Sequence, residues 1–559
     1  MQRFARLLDD LSTQQSRNAK VALMEIYFRT TPDPDRGWAL AALTEAALLK
    51  VPLRRLLTRL MAGRIDLVLY RVSRDYVGDT AETVALLWPE TMNSDSNYTS
   101  VSLNGAVELI QNCTPSQLEA TTAALLDGFD VTERWAFLKI LGGALRVGVS
   151  GRLAKMALAD ATQRTLSEIE EVWHAVKPPY GDLFAWAEDR GPRPETKGVA
   201  VFRPLMLATP IEDHDWTTLD ARDFAAEWKW DGIRVQIASE ASGVKIFSRT
   251  GEDVSPAFPE IAEAFAGRDV TVDGELLVVR DSTVASFNDL QQRLNRKSVS
   301  ARMLVDYPAH VRLYDLLFVD GEDLRPLSFE ERRVRLETWH SSASPPRSDV
   351  SELIAFTNFE ELGQLHAGAR AWSIEGLMLK RLASPYLAGR PKGHWFKWKR
   401  TALTLDCVLM YAQRGSGKRS SFYSDYTFGV WRTVDEGLPE LVPVGKAYSG
   451  FTDSELKDLD KFIRQNTVET FGPVRAVKPQ IVFEVAFDSV QLSKRHKSGV
   501  AMRFPRIHRI RWDKPANEAD NLAAIVALLD NADEPARSCA LPFTGREKAQ
   551  HRTRVRQTE

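Results

Sequence analysis

The segment Glu227-Trp-Lys-Trp-Asp-Gly-Ile-Arg-Val-Gln236 sets one lysine, Lys229, between two tryptophans and directly before an Asp-Gly pair. Asp-Gly pairs favour turns, so the segment predicts a single amine at the end of a strand. It is also compatible with a simple hairpin in which Lys229 is a solvated surface charge. The motifs that accompany the segment along the chain distinguish these two interpretations.

Five further motifs follow this segment in a fixed order. They are Ser248-Arg-Thr-Gly251, Asp273-Gly-Glu275, Tyr314-Asp-Leu-Leu-Phe318, Glu375-Gly-Leu-Met-Leu-Lys380 and Trp395-Phe-Lys-Trp-Lys399. In this order they resemble the motif series of the covalent nucleotidyltransferase superfamily, which includes ATP-dependent DNA ligases, RNA ligases and mRNA capping enzymes. The resemblance extends over residues 202–514 and favours a chemical role for Lys229.

The domain organisation is predicted from residue periodicity. Apolar residues recur at helical spacing from residue 1 to about 176, and a cluster of proline, glycine and charged residues at 191–198 ends that region. Short strand-like runs alternate with helices between residues 202 and 400, and strands predominate after residue 400. We expect an all-α domain over 1–198, an α+β domain over 199–400, a small β-barrel over 401–544 and a disordered basic tail over 545–559.

The resemblance makes these units more specific. It implies a helical DNA-binding domain, a nucleotidyltransferase (adenylation) domain with antiparallel sheets, and a C-terminal β-barrel of the OB-fold type. It further implies that the barrel swings between an ATP-facing and a DNA-facing position about a hinge near residues 399–405. The short ends of the chain lead us to expect a compact bacterial or archaeal type of enzyme.

Composition limits the location and the partners of the protein. No apolar run approaches the roughly 20 residues of a membrane helix, and the first residues lack the apolar core of a signal peptide. We therefore expect a cytoplasmic protein with no membrane partner. Because 73 Lys and Arg balance 75 Asp and Glu, any nucleic-acid binding has to come from local basic clusters.

The cysteine content excludes some classes of site. Cys113, Cys407 and Cys539 are scattered singly along the chain, which excludes a disulfide framework and a four-cysteine zinc site. NAD-dependent ligases carry such a zinc module, so that class of ligase is disfavoured.

Nucleophilic use of Lys229 requires a special environment. An ordinary lysine amine is protonated at neutral pH, so nearby cations must favour its neutral form. Such cations would also bind triphosphate oxygens and neutralise charge in the transition state. The candidates, taken from the motifs, are Arg234, Arg249, Lys397 and Lys399.

A divalent cation and an adenine site complete the expected nucleotide site. Mg²⁺ (or Mn²⁺) prefers one or two carboxylates with phosphate oxygens and water, and Glu275 and Glu375 are the candidate ligands. The alternative for either glutamate is a structural ion pair. The resemblance assigns Glu227 and Phe318 to the adenine slot, and Arg390 to the arginine that precedes the last lysine motif.

Three stretches favour DNA as the substrate. The basic run 493–514 resembles the final motif of DNA ligases with an OB-fold barrel. The stretch 287–297 resembles the helix that follows the Asp-Gly-Glu motif in DNA ligases, and 145–155 resembles their helical DNA-binding domain. The candidate DNA-binding residues from these stretches are Arg146, Gly148, Arg293, Arg503, Arg506, Arg509, Arg511 and Lys514.

The resemblance implies an ATP-dependent DNA ligase for DNA replication, repair or recombination. Lys229 would take AMP from ATP and pass it to the 5′-phosphate of nicked double-stranded DNA, and the 3′-hydroxyl would then displace AMP. We expect a monomer, and the sequence identifies no repair-protein partner. The alternatives are an RNA ligase or capping-type enzyme, and a catalytically silent DNA-binding scaffold.

Overall fold

The computed structural model describes residues 1–14, 16–44, 49, 51–89, 101–143, 145–294, 296, 298–368, 374–400, 402–414, 423–433, 439–448 and 452–533. The predictions about the basic tail, 545–559, and about Cys539 fall outside these residues.

The first part of the chain is helical, as the periodicity predicts. One continuous core, which includes Phe28, Leu40, Phe137 and Phe184, joins these helices. The helices are α1 (Gln2–Thr13), α2 (Arg17–Thr30), α3 (Asp35–Leu43), α4 (Leu53–Ala62), α5 (Leu67–Val77), α6 (Thr80–Leu87), α7 (Leu103–Gln111), α8 (Leu118–Gly128), α9 (Val131–Gly142), α10 (Gly151–Thr162), α11 (Leu166–Val172) and α12 (Gly181–Ala187).

The middle part of the chain is rich in strands and carries helices between them. Its strands are β1 (Thr209–Pro210), β2 (Phe224–Lys229), β3 (Ile233–Glu240), β4 (Gly243–Ser248), β5 (Val270–Arg280), β6 (Thr283–Val284), β7 (Ala309–Val319), β8 (Glu322–Asp323), β9 (Ser348–Val350), β10 (Leu353–Ile354), β11 (Gly376–Arg381) and β12 (Trp395–Lys399). Its helices are α13 (Asp215–Thr218), α14 (Pro259–Ala264), α15 (Phe287–Gln291), α16 (Ala301–Asp306), α17 (Phe329–Ala343) and α18 (Phe359–Gly368).

These strands form two sheets. The first has the order β1-β12-β11-β2-β10, and the second has the order β4-β3-β5-β7-β8, with β6 paired to β5 and β9 paired to β7. The pairs β1/β12 and β7/β9 are parallel. The long neighbouring strands of both sheets are antiparallel, as expected.

The chain crosses from the first sheet to the second directly after Lys229. Strand β2 ends at Lys229 and belongs to the first sheet, whereas β3 begins at Ile233 and belongs to the second. The hairpin interpretation of this segment is therefore wrong. Gly232 lies in the crossing, where an added Cβ would be 2.4 Å from the Leu276 carbonyl oxygen and 2.7 Å from Glu275 Cγ. A larger residue would force the two sheets apart at this point.

The last part of the chain is again rich in strands. Its main sheet has the order β15-β14-β13-β17-β16, and β18 pairs with both β13 and β21. The pair β19/β20 forms a separate two-stranded sheet. The elements are β13 (Leu403–Arg414), β14 (Tyr423–Arg432), β15 (Glu440–Ala447), α19 (Asp453–Asn466), β16 (Thr467–Phe471), β17 (Val474–Val477), β18 (Val482–Phe487), β19 (Ser489–Leu492), β20 (Val500–Arg503), β21 (Arg506–Arg511) and α20 (Leu522–Asp533).

No helix in the described parts of the chain is both long enough and apolar enough to cross a bilayer.

The helical region contacts the second sheet through the short 3-10 turn Trp173–Ala175. The His174 ring lies on the Phe247 ring, with centroids 4.4 Å apart, and nearby Glu171 accepts a hydrogen bond from Arg325 at 3.1 Å. Burial lowers the pKa of His174 to about 4. An ordinary histidine has a pKa near 6.5. The lower pKa of His174 means that its ring is neutral in this contact at neutral pH.

We expect the protein to lose stability in mild acid through His174. The unfolded chain binds a proton there below about pH 6.5, whereas the folded chain resists it until about pH 4. The resulting stability is present at pH 7.5 and decreases as the pH falls, by about 2 kcal/mol at pH 5. Urea unfolding at pH 7.5 and pH 5 should show a smaller decrease in the free energy of unfolding for His174→Phe than for the unsubstituted protein. An equal decrease in both proteins would contradict the role of His174.

Candidate active site

A cavity of about 500 Å³ opens between the two sheets of the middle region, where the chain crosses after Lys229. It brings together residues from all six sequence motifs. The polar and aromatic residues that line it include Glu227, Lys229, Arg234, Arg249, Glu275, Tyr314, Glu375, Lys380, Trp395, Lys397 and Lys399.

The first sheet presents four of these side chains through its register. Lys229 and Lys399 both lie opposite Gly376 of the strand between them. Glu227 and Lys397 lie two residues earlier on the same two strands, and both are opposite one β11 residue. Because side chains alternate across a strand, all four point to one face of the sheet. The alternation of charge and tryptophan in both motifs reflects this arrangement.

Lys229 contacts a carboxylate within the cavity. Its amine forms an ion pair with Glu375, and its side chain is 22% exposed. Lys399 contacts the same carboxylate, with 3.3 Å between Lys399 Nζ and Glu375 Oε2. Burial opposes the charge of Glu375, but the two lysines prevail and hold its pKa below the ordinary value. The nucleophile candidate is therefore held against Glu375 and partly shielded from water.

The predicted cations converge around Lys397. Burial lowers the pKa of Lys397, and the positive charges of Arg390, Lys399, Arg249 and Lys229 lower it further. Repulsion between these like charges is relieved when an anion binds among them. Arg249 and Arg390 are both exposed, so their guanidinium groups remain accessible at the mouth of the cluster.

Arg234 differs from the other predicted cations. Its Nη2 donates to Asp273 Oδ2 at 2.7 Å, and its Nη1 donates to the Met206 carbonyl at 2.7 Å. The terminal nitrogens of this guanidinium are thus engaged by the protein. Arg234 contributes positive charge to the cavity, and its buried Nε has no hydrogen-bond partner among the described residues.

Glu275 comes from the second sheet and faces the same cavity. Burial raises its pKa to about 7, Lys229 and Arg234 oppose that shift, and the carboxylates of Glu375 and Asp231 add to it. The cavity thus contains two carboxylates close enough to affect each other. The described residues hold no group of three or more His, Cys, Asp or Glu side chains suited to a metal ion.

Glu227 lies at the inner end of the cavity and is paired with Lys380. Lys380 was not among the site residues predicted from the sequence. Lys380 Nζ donates to Glu227 Oε2 at 3.0 Å, and Arg333 Nη1 donates to Glu227 Oε1 at 3.3 Å. The Lys380 amine also lies 4.5 Å from the centroid of the Tyr314 ring and 4.8 Å from that of Trp395. Lys380 ends one of the six motifs, and its alternation with Met378 on β11 is a signal that could have identified it.

Phe318 does not line the cavity, so the structure gives no support for its predicted place beside adenine. Its ring lies between two guanidinium groups, 3.6 Å from Arg203 Cζ and 5.1 Å from Arg325 Cζ. The aromatic residue of the same strand that lines the cavity is Tyr314. Arg390 also lies outside the cavity lining, although its charge reaches Lys397.

Arg293 is not available to DNA, so this prediction is wrong. Its side chain is fully buried, and it donates to the Ala257 carbonyl at 2.6 Å and to Glu260 Oε2 at 2.9 Å. The helix expected over 287–297 is also shorter, because α15 ends at Gln291. The residues beyond it turn Arg293 inward, where it joins the segments around Ala257 and Tyr307.

The other predicted DNA-binding residues are at or near the surface. Arg146 and Gly148 are exposed in the helical region. Arg503 reaches from β20 to Asp231 in the crossing after Lys229, with 3.1 Å between Arg503 Nη2 and Asp231 Oδ1. The remaining basic residues have carboxylate partners in Arg506–Asp488, Arg509–Glu484, Arg511–Asp513 and Lys514–Asp406. The basic run is thus more evenly compensated than its sequence suggests.

Comparisons with known proteins agree with these motifs. Residues 205–399 match the family described as ATP dependent DNA ligase domain, and residues 419–514 match the ATP dependent DNA ligase C terminal region. A probable DNA ligase of Koribacter versatilis (strain Ellin345) is 36% identical over 433 residues, which cover 73% of this chain and 74% of that protein. A DNA ligase of Methanothrix thermoacetophila is 33% identical over 388 residues, which cover 68% of each chain.

The solved structure named Pmar-Lig_Pre resembles the chain in fold alone, at 16% identity and a TM-score of 0.56, over 91% of this chain and 99% of that one. The matches to both relatives exceed 30% identity and cover more than two thirds of each protein. The chain belongs to the ATP-dependent DNA ligases.

Proposed function

We propose that Lys229 is the nucleophile of this ligase. The observation that carries the proposal is the position of its amine in a cavity shared with Arg249, Lys397 and Lys399. Lys229 Nζ attacks the α-phosphorus of ATP, a phosphorus–nitrogen bond forms, and the bond to pyrophosphate breaks. The amine loses its proton in this step, and pyrophosphate leaves with the electron pair of the broken bond.

The lysyl-AMP then supplies two further transfers. The 5′-phosphate at a nick attacks the AMP phosphorus, and the bond between phosphorus and Lys229 breaks. The product is a DNA end that carries AMP on its 5′-phosphate. The 3′-hydroxyl then attacks that 5′-phosphate, seals the strand and releases AMP. The same cations stabilise negative charge in all three steps, which is the main catalytic requirement of phosphoryl and nucleotidyl transfer.

We propose that the inner end of the cavity holds adenine. Glu227 is buried there and would accept a hydrogen bond from the exocyclic amine of the base. The rings of Tyr314 and Trp395 provide the apolar walls that a flat base requires. Tyr314 takes the place first expected for Phe318.

Two of the carboxylates that line the cavity fit a divalent cation. Mg²⁺ uses one or two carboxylates together with phosphate oxygens and water, and Glu275 and Glu375 both line the cavity beside the cations. Burial raises the pKa of Glu275, whereas Lys229 and Arg234 oppose that rise and Glu375 adds to it. A bound cation would relieve the repulsion between the two carboxylates. When bound, the metal would neutralise charge on the phosphate oxygens.

We propose that three units enclose nicked DNA: the helical unit over 1–198, the adenylation unit over 199–400, and an OB-fold barrel over 401–544. Strand β13 pairs with β14 along one edge and with both β17 and β18 along the other, and this branched sheet supports a barrel-like last unit. The contact between Arg503 and Asp231 supports a nucleotide-facing position of that unit. We further propose that the enzyme acts as a cytoplasmic monomer.

Lys229→Ala should abolish covalent labelling of the protein by α-labelled ATP, because no other lysine occupies the end of β2. The variant should still seal a nick whose 5′ end already carries AMP, since that step does not use the amine as a nucleophile. Denaturing electrophoresis and a sealing assay measure the two activities. Lys245→Ala, which removes an exposed lysine paired with Asp253, is the control, and labelled Lys229→Ala protein would refute the assignment.

Chelation of divalent cations should stop lysyl-AMP formation, and Mg²⁺ or Mn²⁺ should restore it. Glu275→Gln and Glu375→Gln should each raise the Mg²⁺ concentration needed for half-maximal labelling by about tenfold, because a neutral amide binds the metal more weakly. Glu322→Gln serves as the control, since Glu322 pairs with Arg335 away from the cavity. An unchanged Mg²⁺ requirement in both cavity variants would remove these residues from the metal site.

A further inference from the structure

The buried amine of Lys20 holds a surface loop of the helical region. Lys20 lies on α2, far from the loop in sequence, and its relative exposure is 5%. Its Nζ donates to the Val147 carbonyl at 2.6 Å and to the Gly148 carbonyl at 3.1 Å. A buried ammonium group needs hydrogen-bond acceptors, and two of those it has here belong to the backbone of one loop.

The loop over residues 145–150 has two residues in the left-handed region at this contact. Arg146 and Gly148 have φ values of 53° and 68°, in the left-handed region. Leu145 and Val147 point into the helical core, whereas Arg146 and Gly148 are exposed. A Cβ on residue 148 would lie 2.6 Å from Lys20 Nζ. Glycine at this position therefore favours the left-handed backbone angle and leaves room for the amine.

The contact also determines the charge at the loop surface. Two consecutive carbonyl groups turn inward to Lys20, so their negative ends do not face solvent. The same turn leads into α10, where Ser150 Oγ accepts a hydrogen bond from the Leu153 amide. The outer surface of the loop therefore presents the Arg146 guanidinium, and the two carbonyl groups do not face it. Such a surface suits an anionic partner.

We propose that Lys20 is a positioning residue for DNA binding, which fixes the loop over 145–150 so that Arg146 and the backbone at Gly148 meet the phosphates of nicked duplex DNA. The proposal rests on the proposed function, in which the helical unit binds DNA. Lys20 is shielded by the loop and acts through it. Its removal should weaken binding of the nick and leave nucleotide chemistry in the distant cavity intact.

Lys20→Met tests the proposal, because methionine fills similar space without an ammonium group. We expect its Kd for nicked duplex to rise about tenfold at 0.1 M salt, and the slope of log Kd against log salt to fall by about one for each phosphate that the loop no longer binds. Lysyl-AMP formation from labelled ATP should equal that of the unsubstituted protein. A variant that simply unfolds would also lose that labelling or its thermal transition, and Lys20→Arg should restore most of the affinity.

Arg134→Met is the matched control, since buried Arg134 donates to the Leu126 carbonyl at 2.7 Å in the same helical unit. It should leave the Kd and the salt slope unchanged. Gly148→Ala should weaken binding alone but add little to Lys20→Met, because both changes act on one contact. An unchanged Kd in folded Lys20→Met, or an equal loss in Arg134→Met, would overturn the proposal. Failure of the unsubstituted protein to form lysyl-AMP or to bind nicks would instead refute the proposed function.

Discussion

The close approach of Gly232 to the second sheet is the constraint on which the site depends. Strand β2 delivers Lys229 from one sheet, and β3 begins in the other after only three intervening residues. The crossing is short enough only because residue 232 has no Cβ to meet the Leu276 carbonyl. As a result, Lys229 from the first sheet and Glu275 from the second face one cavity. The cavity is therefore a consequence of how the chain changes sheets, and its two halves are joined next to Lys229.

Charge balance explains why this cavity suits a polyphosphate. Among its described lining residues, cations outnumber carboxylates, and the cations lower the pKa of Lys397 by mutual repulsion beyond the effect of burial. Glu375 offsets part of this excess by contacting both Lys229 and Lys399. An entering triphosphate would compete for the same two lysines, which would free Glu375 for a metal ion. The contacts of Glu375 with the two lysines thus neutralise charge in the cavity, and a bound triphosphate could replace them.

Local patterns predicted much of this arrangement, and their failures have a physical cause. Alternation along β2 and β12 was enough to place Glu227, Lys229, Lys397 and Lys399, because both strands are regular. Strand β7 is not regular, since its pairing with β5 shifts register on both sides of Asp315. Those irregularities break the alternation that would set Phe318 on the same face as Tyr314. Distant partners were equally invisible: nothing near Arg293 in sequence indicates that Glu260 buries it, and the carboxylates facing the basic run come from other strands.

Both outer units form an ion pair with the middle unit, and the helical region adds a contact between packed rings. This difference bears on movement. The helical region docks through the His174 ring on Phe247, which excludes water from one ring nitrogen. The last unit reaches the crossing after Lys229 through the ion pair of Arg503 with Asp231. Partly exposed ion pairs contribute little net stability and weaken with salt, whereas separating packed rings exposes apolar surface. In the proposed reaction cycle, the last unit leaves the nucleotide once pyrophosphate has departed and DNA offers new phosphates, and the helical unit remains docked.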